Sequence, residues 1–210
     1  MIAVMESPVT EVPTRAAAPA QEAQIQEAAD IPRKLWTRAE YRQLGADGYL
    51  QEGRYELVLG EIVQKMGQGR WHIIIGMRII KILEDVFGFD RLQAQSTLPL
   101  GENGEPEPDL AVLNQSIEQF TDEEPTEKDT VLVVEVSNTT LAYDLSRKVR
   151  QYGNVGIPEY WVIDIPNRLL HVFREPTETG YASEAILTTD DEVRPLAAPD
   201  KPVRVADLLP

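Results

Sequence analysis

Cysteine is absent from this chain of 210 residues. That removes disulfides and thiolate metal sites and agrees with a reducing compartment, the cytoplasm. Histidine occurs twice, at His72 and His171, too seldom for a histidine-rich zinc centre. A metal ion would be held mainly by carboxylates, the ligand set of magnesium or manganese. No apolar run approaches the roughly 20 residues of a membrane helix. The opening MIAVMESPVTEV has neither a basic leader nor a long apolar core, so no signal peptide is expected. Positive charge is scarce: 20 Lys and Arg stand against 35 Asp and Glu, a net charge of −15. Nucleic-acid binders usually carry a basic footprint. A DNA partner would need a basic patch confined to a cleft, for which Lys65, Arg70, Arg78, Arg147, Lys148 and Arg150 are the candidates.

Residues 1–30 have almost no large apolar side chains and are rich in Ala, Pro, Glu and Gln. They cannot bury enough surface to offset the entropy of ordering, so a disordered tail is expected there and a folded domain over 31–210. Thr37-Arg38-Ala39-Glu40 has the spacing of a capping box and predicts a helix over about 38–44. Tyr55–Val63 alternates around Gly60, a hairpin signature. Trp71–Phe87 fits a largely buried helix with Ile74, Met77, Ile80 (or Ile79), Leu83 and Phe87 inward and Gly88 at its end. Strands are expected over 91–100, 109–113, 131–136, 159–164, 168–174 and 181–187. Residues 114–130 read as an acidic surface loop and 203–209 as a last strand or short helix. A single crossover helix joins the strands at 131–136 and 159–164. The order gives a mixed α/β (α+β) fold with a central mixed β-sheet.

The crossover unit carries the chemistry. Val131–Val136 is a β-branched apolar run of the kind that forms central strands, yet Glu135 lies inside it. A buried charge costs several kcal/mol unless paired, so Glu135 needs a cation, either a side chain or a metal. Ser137 shares its face, because strand side chains alternate. On the following helix Asp144, Lys148 and Tyr152 are four apart and share one face. A crossover helix packs back onto its sheet, which lets Lys148 reach over Glu135. Asp109, behind Pro108, opens the apolar strand DLAVL. Each residue also has a plain structural reading: Asp109 as a turn aspartate, Glu135 as an edge-strand glutamate facing water (against which its apolar neighbours argue), Lys148 as a solvated partner of Asp144, Glu56 as an exposed hairpin acid, His72 as a satisfied core or cap residue, Tyr152 as core. Together, two acids can hold a divalent ion with water, and a lysine can orient water or offset charge on a phosphoryl oxygen. That combination suits phosphodiester hydrolysis.

Pro108-Asp109, Glu135-Val136-Ser137, the helical Asp144, Lys148 and Tyr152, and GIPEYWVID at 156–164 resemble the Uma-two family of restriction-endonuclease-like proteins. This family, abundant in cyanobacteria, belongs to the PD-(D/E)XK nuclease superfamily. YELVLGEI at 55–62 and His72 resemble its opening segment. The resemblance spans about 35–209. It implies a restriction-endonuclease-like sheet flanked by helices and a magnesium-dependent (or manganese-dependent) endonuclease acting on DNA. Asp109 and Glu135 become the metal ligands, Lys148 the lysine and Glu56 a further acid. His72, Ser137, Asp144 and Tyr152 become accessories, and a homodimer is implied. The wider superfamily has lysine where Ser137 stands; the relatives resembled here move it to the helix, as Lys148. Two other readings stay open: a nuclease-like fold kept as a binding or regulatory module for a protein partner, and a metal hydrolase of a small phosphoester.

Overall fold

The apolar run at Val131 does form the centre of the fold. In a computed structural model, which describes residues 32–209, six strands build one sheet. In chain order the elements around it are α1 (Arg38–Ala46), β1 (Tyr55–Val58), β2 (Glu61–Gln64), α2 (Arg70–Phe87), β3 (Leu92–Ala94), β4 (Leu110–Leu113) and β5 (Thr130–Ser137). Next come α3 (Leu141–Tyr143), a π-helical turn (Asp144–Lys148), α4 (Val149–Asn154), β6 (Glu159–Asp164), β7 (Leu169–Thr177), β8 (Gly180–Leu187), β9 (Glu192–Val193), β10 (Val203–Arg204) and α5 (Val205–Leu208). The sheet order is β3-β4-β5-β6-β7-β8. Only β5 and β6 run parallel; the other pairs are antiparallel. A parallel pair needs a crossover, and α3, the π turn and α4 supply it. This is the mixed restriction-endonuclease-like arrangement expected. The described residues from Leu35 onward form one compact unit. The tail expected at 1–30 lies outside the described residues.

Strand alternation divides the core into two layers. On one face Ile75, Ile79, Leu83 and Phe87 of α2 pack against Leu110, Val112, Leu132, Val134, Trp161 and Ile163, and the C-terminal Val203, Val205 and Leu208 join them. On the other, Leu98, Leu100, Ala111, Val133, Tyr160, Val162 and Phe173 pack against Tyr152 of the crossover. β5 and β6 are covered on both sides, which is why nearly every residue along them is buried and their middles are apolar except at Glu135. Glu135 belongs to the face of Val133 and so lies under the crossover helix.

Local signals explain the flanking elements. The Thr37 hydroxyl accepts from the Glu40 amide at 3.2 Å, and the Glu40 carboxylate accepts from the Thr37 amide at 2.9 Å, completing the capping box. Leu59 and Gly60 both have positive φ, 52° and 76°, the two-residue turn that matches hairpin twist. Leu57 exchanges backbone bonds with Glu105, so the hairpin is tied to the segment before β4.

Three details differ from the expectations. The strand expected over 91–100 stops at Ala94, because Gln95 turns with φ 48° and sends Leu98 and Leu100 under the second layer. The inward stripe of α2 is Ile75, Ile79, Leu83 and Phe87, and Met77 is exposed. The strand expected over 168–174 starts one residue later and runs to Thr177.

Gly153 is where α4 touches the first residue of β8, Gly180. A Cβ built there would come within 2.0 Å of the Gly180 carbonyl oxygen. Glycine to alanine inside a helix ordinarily stabilises by about 1 kcal/mol. Here backbone meets backbone, so the clash decides the sign. Gly153→Ala is expected to lower unfolding free energy in urea by roughly 1–3 kcal/mol.

Candidate active site

Glu135, Asp109, Lys148 and Glu56 arrive at one place from four different segments. The β4–β5 register pairs Leu110 with Val134. Continued by one residue, it sets Asp109 opposite Glu135, a spacing of about 5 Å between Cβ atoms in an antiparallel pair. The Asp109 Oδ2 accepts from the Val136 amide at 2.8 Å, which fixes the aspartate against β5. Its same oxygen lies 3.1 Å from His72 Nε2, in the first turn of α2.

Lys148 ends the π turn. Its Nζ donates to Glu135 Oε1 at 2.7 Å and lies 3.2 Å from Glu56 Oε2. The Tyr152 hydroxyl donates to the same Glu135 oxygen at 2.7 Å. Glu56 comes from β1 and is steadied by the Glu107 amide at 3.2 Å. Asp144, at the start of the π turn, accepts from Ser137 Oγ and Thr140 Oγ1, both at 2.6 Å. A π turn inside an α-helix is rare and concentrates at functional sites. Here both of its ends, Asp144 and Lys148, are buried and aimed at β5.

The electrostatics follow from crowding. Glu56, Asp109, Glu135 and Asp144 are all buried, and so is Lys148. Burial drives the Glu135 carboxyl up to about 7 against the pull of Lys148, with Asp109 and Asp144 pushing the same way. Burial also opposes the charge on Lys148, but Glu135, Glu56 and Asp144 outweigh it and hold the ammonium well above the usual lysine range. Burial would lower His72 and raise Asp109. Their mutual hydrogen bond and attraction prevail, raising His72 and lowering Asp109 below their ordinary values. Asp144 is raised by burial, with Lys148 and its two hydroxyl donors partly offsetting that.

These groups line a cleft of about 330 Å³ together with Lys65, Met66, Gly67, Gln68, Gly69, Asn138, Thr139, Thr140 and Tyr143. Met66, Gly67 and Gly69 are exposed, so the cleft meets solvent at that rim. The hydrogen bonds of Asp109 and Glu135 fall on one oxygen of each, Oδ2 and Oε1. No group of three or more His, Asp or Glu side chains suited to hold a metal exists among the described residues.

The basic patch expected around the cleft does not assemble. Of its six candidates only Lys65 and Lys148 line the cleft. Arg147 pairs with Glu61 at 2.5 Å, and Arg78 donates to the Leu209 carbonyl on the other face of the sheet. Tyr143, Thr140 and Asn138 line the cleft without having been singled out from the sequence. They follow β5 directly, and that proximity to the strand carrying Glu135 was the available signal.

Among curated proteins none matches the chain. Among solved structures, a protein described as a putative nuclease belonging to DUF820 from Anabaena variabilis shares the fold with a TM-score of 0.58 at 18% identity, over 77% of this chain and 95% of that one. No helix among the described residues is long and apolar enough to cross a membrane. The family described as Uma2, putative restriction endonuclease, matches residues 38–202, which cover the whole site from α1 to the segment before β10, and the chain belongs to that family.

Proposed function

We propose that this chain is a metal-dependent endonuclease that hydrolyses DNA phosphodiester bonds. The observation that carries the reading is a charge imbalance. Four buried carboxyls, Glu56, Asp109, Glu135 and Asp144, line one cleft against Lys148, Lys65 and the partly buried His72. Lys65 is itself engaged by Glu107, whose carbonyl accepts from it at 2.5 Å. Buried charge of one sign calls for a counter-ion. The donors are hard carboxylate oxygens, and magnesium is commonly held by one or two carboxylates plus waters and substrate phosphate rather than a closed protein cage. The residues therefore fit magnesium or manganese, with Asp109 and Glu135 as the ligands.

Such an ion supplies Lewis-acid polarisation of the phosphoryl group. The rest is done by this chain. Lys148, kept charged by its neighbours, orients the attacking water and offsets charge on the phosphoryl oxygens. Glu56 and Tyr152 fix the lysine and Glu135 relative to one another. His72 and the Val136 amide set the direction of Asp109. Asp144, through Ser137 and Thr140, pins the π turn that delivers Lys148.

One observation favours the binding-module alternative: Lys148 and Tyr152 already satisfy Glu135, and cationic side chains are few around the cleft. Plasmid cleavage separates the two. With Mg²⁺ or Mn²⁺ the wild-type chain is expected to nick or linearise DNA. Asp109→Ala and Glu135→Ala should fall to background, and Lys148→Ala by roughly 10²–10³-fold. Cleavage persisting in all three variants, or absent from the wild type with either metal, removes the nuclease reading.

The pH dependence of stability checks the ion. A carboxyl that keeps its proton to about pH 7 when folded, against an ordinary value of 4.5, binds more protons folded than unfolded. Folding therefore weakens as pH rises between those values. The raised His72 acts in the same direction, its contribution being lost as pH climbs through its folded value. Metal-free protein is expected to melt at a lower temperature at pH 8 than at pH 5. Mg²⁺ or Mn²⁺ should raise the melting temperature more at pH 8, because metal and proton compete for Glu135. Glu135→Gln should flatten both effects; a variant that keeps them assigns the titration elsewhere.

A further inference from the structure

Three buried side-chain polar atoms lack a hydrogen-bond partner among the described residues: His72 Nδ1, Tyr143 Oη and His171 Nε2. Buried polar groups are nearly always satisfied, so each such atom calls for a cause. The residues that carry two of the three, His72 and Tyr143, line the one cleft that holds Asp109, Glu135 and Lys148. They come from unrelated segments, the first turn of α2 and the end of α3. The simplest common cause is a ligand that occupies the cleft and bonds to both sides of it.

The chemistry of the Tyr143 hydroxyl narrows that ligand. Burial raises its pKa well beyond the usual tyrosine range, and Glu56 adds to the effect. The phenol therefore keeps its proton and offers a donor. Nearby protein acceptors would be the site carboxylates, but Asp144 takes its bonds from Ser137 and Thr140, and Glu56 sits beside Lys148 and the Glu107 amide. The hydroxyl bonds to none of them. A neutral, unpartnered donor on a residue that lines a cleft ringed with acids is suited to an oxyanion brought in with its own counter-ion.

We propose that Tyr143 is a substrate-binding residue whose hydroxyl donates to a non-bridging phosphoryl oxygen of the nucleic-acid strand in the cleft. This rests on the nuclease reading and adds the group that recognises the phosphate. No bond is made or broken at Tyr143; it holds the phosphodiester against the side of the cleft formed by α3, on the same segment that leads into Lys148. The His72 Nδ1 is the second polar atom the bound strand would reach.

Tyr143→Phe tests this because it deletes only an unpartnered oxygen. Thermal unfolding of the ligand-free full chain should give a melting temperature equal to or above that of the wild type. Cleavage with Mg²⁺ or Mn²⁺ should drop about tenfold or more, as for loss of one hydrogen bond to a charged group. Binding of a short fluorescent oligonucleotide in Ca²⁺, followed by anisotropy, should weaken by a similar factor. Equal cleavage and equal binding in the two proteins overturn the assignment and leave the nuclease reading standing. A lower melting temperature with unchanged oligonucleotide affinity also overturns it, since the hydroxyl is then structural. If the wild type does not cleave, the binding comparison still decides: weaker binding by Tyr143→Phe supports a phosphate contact without turnover. No binding by the wild type sinks both.

Discussion

The ammonium of Lys148 is the fixed point of this molecule. It sits in a place where charge is expensive, and only the carboxylates around it make that place tolerable. Conversely, those carboxylates can be buried only because Lys148 stands between Glu135 and Glu56. Removing one member of such a set strands the rest, which generally costs several kcal/mol. The apolar layers of the sheet supply the stability that lets this arrangement exist. The ion pairs themselves are weak contributors to net stability, and their effect is to hold four chain segments in one register.

Each structural layer then has a definite task in placing the site. The β4–β5 ladder aligns Asp109 with Glu135. The parallel β5–β6 pair demands a crossover, and the crossover lays Lys148 and Tyr152 over the same strand. The hairpin β1–β2 is not part of the large sheet, yet its bridge between Leu57 and Glu105 carries Glu56 into the cluster. For the nuclease proposed above, bulk charge at −15 opposes DNA binding. Affinity would have to come from contacts inside the cleft, where Lys148, Lys65 and a metal ion held by the carboxylates would meet the phosphate.

Much of this was legible in the chain. A glutamate inside VLVVEVS is conspicuous, because a central strand otherwise excludes charge. The capping box at Thr37 and the turn at Gly60 follow from local chemistry and were readable without tertiary information. Helix α2 was not fully readable. Its segment IIIGMRIIKIL has apolar residues at almost every phase, so periodicity could not choose Ile75 over Ile74 or expel Met77. The early end of β3 was equally hidden, since a left-handed residue at Gln95 leaves no compositional mark. The basic patch failed for a different reason. A list of arginines gives their number but not their direction, and Arg78 and Arg147 are committed to partners away from the cleft. Tyr143 escaped notice because an unsatisfied hydroxyl is a property of surroundings, invisible until the neighbours are in place.

The π turn at Asp144–Lys148 has a further consequence for how this family can change. Such a turn is an α-helix that has absorbed one extra residue. Loss of a single codon between 144 and 148 would restore regular winding, and because the wider turn has already taken up the extra residue, the helix on either side would keep nearly its present phase. The sheet, both apolar layers and the crossover would have reason to survive, and the change would fall on the turn itself, whose two ends aim Asp144 and Lys148 at β5. Relatives one residue shorter in this helix are thus the natural place to find the same scaffold turned to other work.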